Sequence, residues 1–411
     1  MADVYDKAET RDSGEREAEL FAKLPNHLSW AVSKAPTLAE HLKGIDVAAV
    51  KSRGALADLP VLRKPGLMEA QAKIPPFGGF AVAENLAGTR LFSSPGPIWE
   101  PQGLGADPWG AAASLYAAGF RKGDVVHNAL SYHMTPGGFI LDEGARALGC
   151  SVFPAGAGNT DLQVEAAAAL KPVGYTGTPD YLKIMLDRAE EQGADLSSIK
   201  RALVSGGALF PAMREAYAVR GVQVMQSYAT ADLGIVAYET QSDGTIHPGM
   251  VGSGNLIIEI VRPGTGVPVE VGEVGELVVT NFSSVYPLVR FATGDLTKEL
   301  DEPSPCGRTN IRISGWMGRA DQRTKVKGMF VDPKQIQTLR DQHPEIENAR
   351  LIVERDGDSD AMRLQVTGNN IDENSIASSL RDITRLGGKV EQVSELPNDG
   401  KVITDERDYD I

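Results

Sequence analysis

The sequence predicts an α/β protein: a large N-terminal domain with mixed parallel sheets plus a β-rich subdomain, followed by a small α+β C-terminal domain. Three observations carry that expectation. The chain has 411 residues, more than the ~250–300 over which one hydrophobic core keeps growing, so at least two domains are needed. From Asp124 onward short apolar runs alternate with helical patterns, the reading of parallel strands joined by crossover helices. Further on, the β-branched runs 256–261 and 277–280, split by Arg262-Pro263-Gly264, predict antiparallel pairing and a β-rich subdomain.

Residues 20–71 read as helical, broken at Pro60 and Pro65, with Asp58-Leu59-Pro60 ending a helix before an extended linker. This stretch is expected to be a covering element. Val125-Val126 toward Leu130, then Val152-Phe153, then Ala202-Leu203-Val204 read as strands, with a helix through 182–186 before the last. Arg201-Ala202-Leu203-Val204 runs into the turn Ser205-Gly206-Gly207-Ala208, and Pro211 then opens a helix, so backbone amides there can face a ligand. The last ~90 residues form a separate unit. In it Asp332 caps a helix with Pro333 in its first turn and Ile336 and Leu339 facing inward. Leu351-Ile352-Val353 and Leu364-Gln365-Val366 make a hairpin around the polar turn 356–360, and a helix with Ile376, Leu380 and Ile383 on one face stops at Gly387-Gly388.

The formal charge of −14, from 41 basic and 55 acidic residues, disfavours nucleic acid and anionic membrane as partners, because no surplus of cations is available to replace phosphate counterions. The first 19 residues lack a signal-like apolar run, and no later stretch approaches the ~20 apolar residues of a membrane span, so a cytoplasmic protein is expected. Cys150 and Cys306 are too few and too far apart for a disulfide framework or a zinc finger.

Two motifs carry chemistry. Val289-Arg290-Phe291-Ala292-Thr293-Gly294-Asp295-Leu296-Thr297 sets a carboxylate after a glycine turn, and Gly318-Arg319-Ala320-Asp321 sets a guanidinium shortly before Lys325-Val326-Lys327-Gly328. A carboxylate that accepts two hydroxyl donors and a forked cation suit a ribose and a phosphate, hence a nucleotide.

A further ordered series runs from Val126-His127-Asn128-Ala129 through Tyr132, Thr135, Gly137-Gly138, Gly149, Pro154 and Gly158-Asn159-Thr160 to Thr178-Pro179-Asp180-Tyr181-Leu182. With the two motifs above, it resembles the adenylate-forming superfamily, and specifically its phenylacetate–CoA ligase branch, across almost the whole chain. The resemblance implies an N-terminal domain over 1–320, a mobile C-terminal domain over 321–411, and the substrates ATP, coenzyme A and a carboxylic acid, with Mg²⁺ as cofactor. The implied activity is an ATP-dependent, AMP-forming acid–CoA ligase acting on an aryl or arylacetic acid. An adenylating enzyme with another acceptor, and a degenerate AMP- or acyl-CoA-binding homologue, are the alternatives. Oligomeric state stays open between monomer and homodimer.

Residue by residue, the resemblance makes Asp295 the ribose acceptor, Arg319 the nucleotide arginine near the domain junction and Asp321 the hinge. Lys327 and Gly328 line the CoA channel, and Lys401, in Leu396-Pro397-Asn398-Asp399-Gly400-Lys401, is the catalytic lysine that offsets charge as a carboxylate attacks the α-phosphate. Gly206, Gly207 and Ala208 contribute to the nucleotide site, as do Tyr228 and Thr230 of Ser227-Tyr228-Ala229-Thr230-Ala231-Asp232. Asp232 stands where the family has a magnesium-binding glutamate, one methylene longer, and Ala231 replaces a hydroxyl residue.

The phosphate loop departs most. Ser93, Ser94 and Gly96 can face phosphate, but Pro95 and Pro97 cannot donate, no lysine is present, and Glu100 pointing inward would repel a triphosphate. Tyr132, Thr135, Pro136 and Gly137, with Ala229 opposite, are expected to wall a flat apolar acyl slot, with His133 as packing. His247 and Cys306 fall near zinc-ligand segments of some relatives. With Thr240 near one expected cysteine, no zinc is expected.

Overall fold

The computed structural model describes residues 3–94, 97–320, 322, 324–357, 359–397 and 401–407. The chain divides into two compact units, Met1–Trp316 and Met317–Asp410. In the N-terminal unit the strands Val125–Asn128, Ser151–Pro154, Gly174–Gly177, Arg201–Val204 and Gln223–Thr230 pair in parallel. Gly234–Tyr238, Met250–Gly252 and Arg312–Ile313 extend the same sheet in antiparallel fashion. Ala202, Leu203 and Val204 have no exposure, as a strand covered on both faces requires. The sheet therefore presents one edge of strand carboxyl ends, where open α/β sheets bind ligands.

A second sheet joins Ile257–Val261, Gly275–Thr280, Phe291–Thr297 and Leu62–Arg63. The expected hairpin forms, with Ile257 opposite Thr280 and Val261 opposite Glu276. The N-terminal stretch does more than cover. Leu62–Arg63 is a strand that pairs in parallel with Phe291 and Ala292, and Pro65 starts the helix Lys64–Lys73 where it was expected to break one. A proline in the first helical turn lacks only an N–H that would have no intrahelical partner, so it costs nothing there.

Arg290 joins these parts. It is 1% exposed and forks onto Glu259. Its guanidinium also donates to the carbonyls of Ala57 (2.7 Å), Leu59 (2.6 Å) and Gly266 (2.7 Å), while its backbone carbonyl accepts from Leu62 N. Burial pushes the Glu259 carboxyl up and Arg290 pulls it back.

In the C-terminal unit the strands Lys389–Gln392, Ser359–Gly368, Ile346–Asp356 and Ile403–Asp405 form one sheet, in that order, beside the helices Pro333–Gln342 and Glu373–Thr384. Asp332 and Gln335 cap the first helix reciprocally, and the hairpin around the 356–360 turn is present. The second helix stops earlier than Gly387. Arg385 takes the left-handed conformation (φ 63°), while the buried Thr384 hydroxyl donates to Leu380 O and accepts from Leu386 N, which closes the helix end without glycine.

Replacing Arg290 with methionine should leave Glu259 as an unpaired buried charge and cost about 3–5 kcal/mol of stability. Chemical denaturation of the two proteins measures it, and a loss below about 1 kcal/mol would contradict the stitching role.

Candidate active site

Most of the residues singled out in the N-terminal unit gather at the carboxyl edge of the parallel strands. The turn after Arg201–Val204 places Gly206 at φ 74°, a conformation costly for a side chain. It is held to the next strand by Ser205 Oγ donating to Ser227 O (2.9 Å) and Gln226 Nε2 donating to Gly207 O. Gly206, Gly207 and Ala208 thus lie beside the end of Gln223–Thr230, which carries Tyr228, Ala229 and Thr230. The Thr230 hydroxyl oxygen accepts from Leu233 N (3.2 Å) and closes the local turn before Asp232.

Asp295 lies on the second sheet, after Gly294 at φ 77°. Tyr228 OH donates to its Oδ2, and the indole Nε1 of Trp316 donates to its Oδ1 at 3.0 Å. A carboxylate with a donor on each oxygen is held in one plane, and the bond from Tyr228 links the two sheets at this point.

The phosphate segment is a hairpin, Leu91–Ser94 against Ile98–Pro101, with Gly96 outside the described residues. The backbone of Ser93 donates to Met134 O, and Ser94 Oγ donates to Glu100 Oε1 (2.7 Å), so the Ser94 hydroxyl is engaged within the hairpin. Glu100 does point inward and is 2% exposed. It lies within hydrogen-bonding reach of Asp232, whose carboxylate is equally buried and ion-paired with Lys64 Nζ at 3.1 Å. Burial, and next the Asp232 charge, push the Glu100 carboxyl up to about 9, against the opposing pull of Ser94 and Lys64. Gln71, seven residues after Lys64 and on the same helix face, grips the hairpin by accepting from Trp99 N (2.9 Å) and donating to Trp99 O (2.8 Å).

The acyl-slot residues form the entry of the helix Gly137–Leu148. Thr135 donates to Ser131 O, and Pro136 takes the N-cap position. A Cβ on Gly138 would stand 2.8 Å from the Tyr132 ring, so glycine is required there. The slot is not purely apolar, which corrects the expectation. Tyr132 OH donates to Asp142 Oδ2 (2.8 Å) and accepts from Asn128 Nδ2 (2.6 Å), a polar rim around an aromatic wall. Burial and then Asp142 hold the phenol well above its usual range, so it stays a donor. His133 is exposed and does not pack inside.

Arg319, Lys327, Gly328 and Lys401 belong to the C-terminal unit, and Asp321 lies outside the described residues. Arg319 stands 6.0 Å from the Phe330 ring centroid. Lys327 and Gly328, both at positive φ, form the two-residue turn between Thr324–Val326 and Met329–Val331. Lys401 is exposed, its carbonyl accepting from Arg350 Nε. Gln322 Oε1 accepts from the amides of Val402 (2.6 Å) and Ile403, so the segment bearing Lys401 is tied to the one bearing Arg319. In the N-terminal unit, Thr240 Oγ1 and His247 Nδ1 are 3.1 Å apart, and Cys306 lies against Ser304 and Arg308.

A family model described as "AMP-binding enzyme" matches residues 110–284, the parallel sheet and its carboxyl edge. The phenylacetate-coenzyme A ligase of Aromatoleum evansii is 29% identical over 369 residues, 85% of this chain and 82% of that protein. The chain is similar over most of its length to phenylacetate-coenzyme A ligases, and its parallel sheet carries the AMP-binding match. A Thermus thermophilus phenylacetate-coenzyme A ligase is likewise 29% identical, over 79% of this chain and 74% of its own length. A crystal structure of 2-hydroxyisobutyryl-CoA ligase with 2-HIB-AMP and CoA superposes with TM-score 0.81 at 23% identity, covering 98% of this chain and 92% of that one, so the adenylate-forming fold is shared.

Three site residues escaped the sequence reading: Lys64, Gln71 and Trp316. The signal for the first two was present. Lys64, Leu67 and Gln71 share one helical stripe, and polar residues on a face whose leucine is fully buried mark a site rather than a core.

A pH test follows from Glu100. Its folded-state value of about 9 lies above the ordinary 4.5, so its contribution is fully present below pH 4.5 and is lost as pH rises through 9. In EDTA, Glu100→Gln should match the parent near pH 5 and exceed it in melting temperature by several degrees at pH 9. A gap that does not change with pH would contradict the buried protonated carboxyl.

Proposed function

We propose that the chain is an ATP-dependent, AMP-forming carboxylic acid–CoA ligase that acts on an aryl or arylacetic acid through an acyl-AMP. The observation that carries this reading is Asp295, a carboxylate held in one plane by Tyr228 and Trp316 beside the strand edge that bears the glycine turn. A carboxylate offers about four lone-pair sites, enough to hold both ribose hydroxyls besides its protein donors. The A. evansii and T. thermophilus relatives bear the name of phenylacetate ligases, which supports the acid class and the thiol acceptor. Asp142 behind Tyr132 favours an aromatic acid over an aliphatic one, since the oriented phenol gives the slot a polar edge that a ring-bearing acid can face.

In this reading the glycine turn presents amides to the nucleotide and Tyr228 flanks the adenine, while Arg319 meets phosphate or ribose near the junction with the C-terminal domain, residues 321–411. The carboxylate of the acid attacks the α-phosphate in line. Lys401 Nζ stands by the developing charge of the pentacovalent centre, and pyrophosphate leaves. Asp232 fits magnesium in kind: its oxygens are buried, hard donors, one of them facing the Lys64 ammonium at 3.1 Å. That ion, when bound, supplies charge neutralisation at the phosphates. Rotation about Asp321 then withdraws Lys401 and brings Lys327 and Gly328 to the channel through which the CoA thiol displaces AMP. The hairpin with its prolines and buried Glu100 favours a second reading, a homologue that binds AMP or acyl-CoA without turnover.

A screen of aryl and short-chain acids for AMP release with and without CoA tests this directly. CoA-dependent thioester from an aryl acid is the expected result, and AMP binding with no turnover on any acid would establish the second reading. Lys401→Ala should slow acyl-AMP formation by roughly 10²–10³-fold while sparing thioester formation from supplied acyl-AMP, and equal loss in both would remove the assignment. Asp295→Asn should weaken AMP roughly tenfold to hundredfold by equilibrium titration, the scale of hydrogen bonds to a charged group.

A further inference from the structure

We propose, on the reading of Lys327–Gly328 as the CoA-facing turn and of Lys401 as the adenylation lysine, that Asp360 and Arg407 are positioning residues for the thiol step. Together they hold that turn in place against the segment that carries Lys401. All of these residues lie within the C-terminal unit.

The turn is exposed and strained. Lys327 sits at φ 48° and Gly328 at φ 83°, the two positive values that the commonest two-residue hairpin turn requires. Glycine adopts them freely, whereas the Cβ of a lysine crowds the following carbonyl. In so short a turn the closing bonds belong to the flanking residues, so the amide of the first turn residue has no partner in the ladder. Asp360, at the start of the strand Ser359–Gly368, supplies one from outside: its Oδ2 accepts from Lys327 N at 2.9 Å. Its Oδ1 pairs with Arg407 Nη1, also at 2.9 Å. One carboxylate thereby joins the strained amide to a guanidinium whose side chain is 7% exposed.

Arg407 reaches in two directions. Nη1 donates to Lys325 O at 2.9 Å and Nη2 to Thr324 Oγ1 at 3.0 Å, which grips the first strand of the small hairpin. Nε donates to Asp405 Oδ1 at 2.8 Å, and Asp405 Oδ2 also accepts from Thr324 Oγ1 at 2.7 Å. Asp405 ends the strand Ile403–Asp405, which begins two residues after Lys401 and whose first amide is held by Gln322. The turn and the Lys401 segment are therefore set at one spacing.

These bonds are not needed for the hairpin to exist, because its own antiparallel ladder closes it. What they add is its direction relative to Lys401. A non-glycine residue kept at positive φ by an outside carboxylate is strain maintained for a task, and a site that guides a reacting group needs such support behind the residues that touch it. The planar fork of arginine suits this role, since one group meets two carboxylates and a carbonyl at fixed angles.

Half-reactions measured on the full chain test these roles. Asp360→Ala should slow thioester formation from supplied acyl-AMP roughly tenfold or more and raise the KM for CoA, while pyrophosphate exchange without CoA stays within about twofold of the wild type. Asp360→Asn, which keeps an acceptor for the Lys327 amide, should recover most of that loss. Arg407→Lys, which cannot fork onto both carboxylates, should slow both half-reactions, and if it does not fold the Asp360 pair decides alone. Amide exchange over residues 325–329 should quicken in Asp360→Ala and stay unchanged in the helix Glu373–Thr384, the sign that the unit remains folded. Equal loss in both half-reactions for Asp360→Ala, loss in neither, or unchanged exchange at the turn would overturn the positioning role. Any of those results with a wild type that makes thioester leaves the ligase reading standing. A wild type that forms no acyl-AMP from any acid removes the ligase reading, and the positioning role with it.

Discussion

The buried pairing of Arg290 with Glu259 is the constraint on which the N-terminal unit turns. One guanidinium, with almost no exposure, ties the carbonyls of Ala57 and Leu59, the loop at Gly266 and the strand of Glu259 to the start of Phe291–Thr297, the strand that carries Asp295. Removing either charge strands the other in a low-dielectric interior, so the arrangement is all or none. The consequence reaches the site: the N-terminal stretch is locked as a strand at Leu62–Arg63, and the helix that follows can bring Lys64 and Gln71 to the phosphate hairpin.

The site built on this frame has two ends of different character. The end proposed for the nucleoside is an oriented carboxylate, Asp295, with donors of matched chemistry in Tyr228 and Trp316. At the phosphate end the hydroxyl of Ser94 is spent on Glu100, and the positive charge comes from Lys64 on a distant segment. Relatives of this branch were expected to carry that charge within the loop. Here burial has redistributed it, and the acid has been drawn inward with the serine that satisfies it. The polar rim at Tyr132 and Asp142 is a similar adjustment, a hydrogen-bond network laid behind an aromatic wall.

Much of this was legible in the chain. The parallel strands, the hairpin at 257–280 and the capped helix at Asp332 were all readable, because each depends on local periodicity or a turn. Lys64 was not, because it lies 168 residues before Asp232, and no local pattern joins a helix's first residue to a carboxylate on another element. Pro65 misled for the same reason: proline reads as a breaker until the strand preceding it is known to pair.

By itself, the sequence determined the fold class and the likeness to phenylacetate–CoA ligases, and it singled out Asp295 as the candidate carboxylate, since these rest on hydrophobic period and on motifs that keep their order along the chain. Tertiary structure alone decided which way Glu100 points, that the Ser94 hydroxyl donates to it, and that Trp316 joins Tyr228 on Asp295. Those outcomes depend on long-range packing and on the cost of burying a charge, and neither is written in any window of neighbouring residues.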